Sequence, residues 1–158
     1  MNKSSILMTI VTTLIGIVGS AVVTKKFSKD KNPVWNFKLS VLFSKGISKI
    51  DNLKITYTGH EIDNLCSVNL TFWNNGKETI TANDVVEPIC LCVPQEYNLF
   101  NAKVVKATNE SNEFQVAVSE DRRKAEITFR YMDYKQGATI QFLSDCDRVE
   151  NYNLQGAI

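Results

Sequence analysis

The sequence predicts a mainly β protein, an antiparallel sandwich or small barrel, preceded by one N-terminal transmembrane helix. Three observations carry this. Ser5 to Thr24 (SILMTIVTTLIGIVGSAVVT) runs twenty residues without a charge. Beyond it, apolar residues recur with period two rather than with the helical 3.6. Turn residues interrupt that alternation about every ten positions, the spacing of short antiparallel strands.

The uncharged stretch comes first. At about 1.5 Å per residue it makes a helix roughly 30 Å long, the hydrocarbon thickness of a bilayer. A cleaved signal peptide is the competing reading. Gly19-Ser20-Ala21 has the small side chains of a cleavage site, but Val22 and Val23 carry the apolar run past it. Lys25, Lys26, Lys29 and Lys31 follow the stretch against a single Asp30, and only Lys3 precedes it. Lysine biases a flank to the cytoplasm, so the body of the chain is expected there, on a single-pass anchor in the inner membrane. The expected division is an anchor at 1–24, a basic juxtamembrane linker at 25–32 and a cytoplasmic domain at 33–158. Thr12, Gly16 and Ser20 fall four residues apart and share a helix face. Small and hydroxyl side chains there either are ordinary membrane residues or form the packing face of a homo-oligomer.

The strands follow in order. Trp35, Phe37, Leu39, Val41 and Phe43 alternate with polar residues, as in a half-buried strand. Leu53, Ile55 and Tyr57 repeat the pattern up to Gly59. Val68, Leu70 and Phe72 alternate into Asn75-Gly76, a pair suited to a tight hairpin that returns through Thr79 to Thr81. Trp73 is expected in the core. Pro88 opens and Pro94 closes a short strand, and Ala102 to Thr108 makes another. Phe114 to Val118 and Ile127 to Tyr131 flank the polar turn Glu120-Asp121-Arg122-Arg123. Thr139 to Leu143 and a strand around Tyr152 and Leu154 complete the set. Asn83 to Glu87 has room for one helical turn.

Charge and chemistry narrow the function. Lys25 to Lys54 holds eight lysines and two aspartates, while the later chain has nine basic and fifteen acidic residues. The basic segment suits anionic headgroups of the lipid bilayer rather than nucleic acid in general. Cys66, Cys90, Cys92 and Cys146 lack metal-binding spacing, and His60 is the single histidine. Free thiols in a reducing compartment are the expectation. One histidine and no phosphate-cradling glycine loop argue against an enzyme, and no cofactor is expected. Asp145 and Asp147 flank Cys146 and read either as solvated strand-end carboxylates or as the metal pair of a nuclease.

Ligand binding has more material. Arg122, Arg123 and Lys124 stand consecutively at a hairpin tip, where guanidinium groups can grip phosphate in two-pronged fashion. Arg130, Tyr131, Tyr134 and Lys135 follow within one strand and loop, with rings that can stack on bases. The bland reading of such a tip is a solubilising turn.

The strings LTFWNNGKETITANDVVEPICL (Leu70 to Leu91) and FRYMDYKQGATIQFL (Phe129 to Leu143) resemble small bacterial membrane proteins with one N-terminal helix and a β-rich domain. Within that group the layout is similar to the membrane-anchored effectors of nucleotide-signalled antiviral systems, including the type III CRISPR branch. The resemblance implies a cytoplasmic β domain that binds a cyclic oligoadenylate, and a homo-oligomer that then perturbs the bilayer. It rests on architecture and carries over no binding residue. The other expectation is a membrane-tethered domain that binds a protein partner in an envelope or secretion complex.

Overall fold

The structure, a computed structural model, describes residues 30–45 and 54–158. The expected anchor, most of the linker, and with them Thr12, Gly16 and Ser20, lie outside the described residues. Among those described, no helix is long and apolar enough to cross a membrane.

Alternation of apolar and polar residues becomes twelve strands. They are β1 (Pro33–Ser44), β2 (Ile55–Tyr57), β3 (His60–Ile62), β4 (Asn64–Asn74), β5 (Ile80–Thr81) and β6 (Glu87–Cys92). There follow β7 (Leu99–Ala107), β8 (Gln115–Val118), β9 (Lys124–Thr128), β10 (Tyr131–Met132), β11 (Gly137–Ser144) and β12 (Asn153–Ala157). Two open four-stranded sheets, β1-β4-β11-β7 and β12-β6-β9-β8, are antiparallel throughout. The protein is thus mainly β, and among the described residues no sheet closes into a barrel. Small ribbons, β2-β3 and β10-β5, complete the pairing. A helical turn at Ala82–Asp84 overlaps only the first two residues of the 83–87 span expected to have room for one, and two more, Glu110–Asn112 and Val149–Asn151, lie where none was expected.

The two large sheets share one core. From the first come Val68, Leu70 and Phe72 of β4, paired across to Phe142, Ile140 and Ala138 of β11. From the second come Ile89 and Leu91 of β6, and Ala125 and Ile127 of β9. Each large apolar side chain buried here contributes about 1.5–3 kcal/mol. Phe129 joins the layers, its ring 6.1 Å from that of Phe72 and 5.5 Å from that of Phe114.

Three expectations change. The Asn75-Gly76 hairpin does not form, because the wholly buried Asn74 takes over the turn. Its Oδ1 accepts from Gly76 N at 2.8 Å, and its Nδ2 donates to Glu78 O at 2.7 Å and Met132 O at 3.1 Å. The chain leaves β4 and pairs as β5 with β10, not back on β4. Second, the strand expected from Ile127 to Tyr131 splits into β9 and β10, with Arg130 N donating to Asn112 O between them at 2.8 Å. Third, β1 is less covered than its alternation implies. Trp35 and Val41 stay 50% and 47% exposed although their neighbours on the same side, Phe37 and Leu39, pack on the core.

Candidate functional site

The outward face of the first sheet is built by the residues that alternate with the core. Register lines them into rows. Asn36, Thr71, Thr139 and Lys106 form one row across β1, β4, β11 and β7, and Lys38, Asn69, Gln141 and Lys103 form the next. A one-residue shift between Thr139 and Ile140 places Val105 as an extra residue and keeps both lysines of β7 outward. No strand of this sheet contains an aspartate or glutamate. Its charges are lysines alone, and among the described residues none of Lys38, Lys103, Lys106 or Lys135 pairs with a carboxylate.

A depression of about 210 Å³ sits on this face, between Trp73, Lys106 and Lys135, with Thr71, Thr139 and Thr108 around it. Trp73, expected in the core, is only half-buried and points outward. Its position follows from period two, since Phe72 beside it takes the inward place. Gly137 lets β11 come close beneath it. A Cβ there would lie 2.1 Å from Phe72 O and 2.5 Å from Trp73 Cα. Thr108 is fixed by Gly137: its hydroxyl donates to Gly137 O at 3.0 Å and accepts from Gly137 N at 2.8 Å. Thr71 and Thr139 hydroxyls meet at 3.3 Å, leaving donor and acceptor capacity toward solvent. Lys135, in the left-handed region at φ 61°, hangs its backbone N–H on Asn74 O at 2.7 Å. Its ammonium lies 5.2 Å from the centre of the Tyr134 ring, a cation–π contact. The depression therefore offers two ammonium groups, hydroxyls and an indole surface, with no carboxylate among the side chains that line it.

The seven expected ligand residues divide. Lys135 borders the depression and Tyr134, 50% exposed, stands beside it. Arg130 pairs with Glu113 at 3.2 Å, and the Tyr131 carbonyl accepts from Asn112 Nδ2 at 2.9 Å. Arg122 and Arg123 precede β9 and Lys124 opens it, at the far end of a strand of five residues, about 17 Å long at some 3.3 Å per residue. There the turn is knit internally. Asp121 accepts from the Ser119 hydroxyl and from Arg123 N, bonds that hold its carboxyl below the usual range. Arg123 donates from Nη1 to the Tyr97 carbonyl, and at 3.5 Å to that of Pro94, so its guanidinium braces the 94–97 loop. Arg122 borders a larger cleft of about 410 Å³ whose other charged side chains are Glu61, Asp63, Glu96 and Asp145. Asp145 is already engaged, accepting from Asn98 N at 2.6 Å and Asn98 Nδ2 at 2.8 Å. Among the described residues no three or more His, Cys, Asp or Glu gather to hold a metal ion. The four cysteines are free, and burial pushes the Cys66 thiol up to about 11.

Lys38, Lys103, Lys106 and Trp73 were the residues sequence reasoning missed. Alternation marks Lys38, Lys103 and Trp73 as outward, but Lys106 is outward only because of the extra residue at Val105, and neither that shift nor the strand order that gathers them was in the pattern. Comparison with protein-family models, curated proteins and solved structures finds no match to this chain.

Proposed function

We propose that this chain is a non-enzymatic, membrane-tethered receptor for a phosphate-bearing nucleotide, with a cyclic oligoadenylate as its foremost ligand. The observation that carries the reading is the carboxylate-free lysine face around Trp73. Ammonium groups of Lys106 and Lys135 would form charge-assisted bonds to phosphate oxygens. Trp73 and Tyr134 would offer stacking surfaces to bases, and the Thr71 and Thr139 hydroxyls would take polar edges. One such patch per chain matches a ligand with repeated phosphates and bases, held by a symmetric oligomer of the two-sheet domain. Binding that favours one arrangement of subunits would bias the packing of their N-terminal segments in the inner membrane. In that form the protein acts as an antiviral effector of the nucleotide-signalled kind.

The test is a thermal-melting panel on the full chain in detergent, with cyclic di-, tri-, tetra- and hexanucleotides. A ligand that binds only the folded state raises the melting temperature by mass action. The reading expects a rise with one member that is lost in Lys106→Ala with Lys135→Ala, and in Trp73→Ala. No rise with any nucleotide in a folded sample overturns it.

A second reading, a domain that binds a partner protein, draws on the apolar residues Trp35, Val41 and Leu42 left exposed along β1. Under that reading the lysine variants change nothing in partner binding.

A further inference from the structure

The first sheet ends on β1, whose only strand partner among the described residues is β4. β1 has twelve residues, about 40 Å of strand, whereas β12, the corresponding edge of the second sheet, has five, about 17 Å. The shorter edge leaves the longer one overhanging. That is why Val41 remains half-exposed on the side that faces the core, with Leu42 57% exposed beside it, while Trp35, next to β12, is half-exposed at the open flank. A groove lined by Pro33, Trp35, Leu154 and Ile158 runs between the two edges. The opposite flank of the domain differs, since there β7 and β8 approach one another.

The backbone sharpens the point. Asn75 N donates to Asn32 O at 2.8 Å, continuing the β1–β4 register. In an antiparallel ladder, residues that bond the neighbour alternate with residues that turn away. Even-numbered residues up to Ser40 therefore bond β4. Trp35, Phe37, Leu39 and Val41 direct their N–H and C=O groups to the open edge. Natural edges are blunted by lysines and inward charges, prolines, bulges or short length. This one is long, has its proline only at its first position and carries no charge on the four residues concerned; its one lysine, Lys38, is on the outward face, and its bulge, between Val41 and Phe43, begins only at the last of the four.

We propose that a second copy of this chain seats on β1, the two strands pairing antiparallel across a two-fold axis. An edge of this kind is self-complementary, because each odd residue supplies one donor and one acceptor to its counterpart. The apolar side chains fit too. Registers centred on Phe37 or Leu39 set apolar residues opposite one another on the core side. They place Lys38 opposite Asn36 or Ser40 rather than opposite itself. The flank is roughly 40 Å by 20 Å, about 800 Å² per copy, the size of a standard specific interface. The pairing joins two lysine faces into one continuous surface. It deepens the oligomeric part of the reading above, and its test needs no nucleotide, so its failure leaves the lysine face standing.

Residue-level amide exchange on the full chain at fixed detergent concentration, with protein concentration varied, tests it. In concentrated samples the amides of Trp35, Phe37, Leu39 and Val41 are expected to be protected at least about tenfold, and on dilution to lose that protection while Asn36, Lys38 and Ser40 keep theirs. Leu39→Pro removes a donor at the open edge only, so sedimentation should give the single-chain mass with the even-numbered amides still protected. Val41→Lys, an inward charge, should do the same without a backbone change. Odd-numbered amides that exchange freely at every concentration overturn the proposal. So does protection that is independent of concentration at single-chain mass, which would mean that another segment of the same chain, such as the apolar residues 5–24, covers the edge.

Discussion

The lysine face of the first sheet and the run Arg122-Arg123-Lys124 at the hairpin tip are both basic in sequence, and they behave oppositely in the fold. At the tip, the two arginines come to lie beside carboxylates and carbonyls. Arg122 borders a cleft with Glu61, Asp63, Glu96 and Asp145, and Arg123 is spent on the carbonyls of Tyr97 and Pro94. On the sheet, lysines tens of residues apart are gathered by register onto a surface without carboxylates. The lesson is that basic residues adjacent in sequence do not make an anion site by themselves. What matters is whether acceptors already occupy their surroundings, because a guanidinium bonded to carbonyls must give up those bonds to take a phosphate.

The largest effect is expected at Gly137. Gly137→Ala drives a Cβ into the β4 backbone and should cost about 3 kcal/mol, read as a lowered denaturation midpoint with the lysine face disrupted. Next in size is the contrast in binding. Lys106→Ala with Lys135→Ala should weaken nucleotide affinity at least about tenfold, or 1.4 kcal/mol. Arg122→Ala should leave it unchanged within about twofold, a difference isothermal titration can read. Asp145→Ala strands the Asn98 N–H and should cost about 1 kcal/mol of stability, without effect on nucleotide affinity.

The smallest effect is a pH dependence near the start of the domain. The Lys31 ammonium, then the Thr81 N–H and hydroxyl, hold the Asp84 carboxyl down to about 2. The folded form binds that proton less readily than the unfolded chain does. Its stabilisation is present above pH about 4 and lost as the pH falls through about 2. Acid titration of Asp84→Asn against the parent chain should show that component missing.

Much of the β domain was legible because burial imposes period two. Val68, Leu70 and Phe72 were marked as one face of a strand, and the structure buries all three. Turns were less legible. Asn75-Gly76 has hairpin chemistry, but the buried Asn74 one residue earlier captures the Gly76 N–H and sends the chain to β10. Local propensity lost to a long-range contact. The site was harder still, since Lys38, Trp73, Lys106 and Lys135 come from three strands and a turn whose order no local pattern encodes. Trp73 shows the limit well: its size argued for the core, while its parity with Thr71 argued for the outside, and parity decided.

The most direct measurement is titration of the full chain in detergent with a cyclic oligoadenylate, run in parallel on Lys106→Ala with Lys135→Ala and on Arg122→Ala with Arg123→Ala. Binding that is lost in the lysine pair and kept in the arginine pair is the predicted result. Binding that survives the lysine pair and vanishes with the arginines would contradict the assignment of the sheet face.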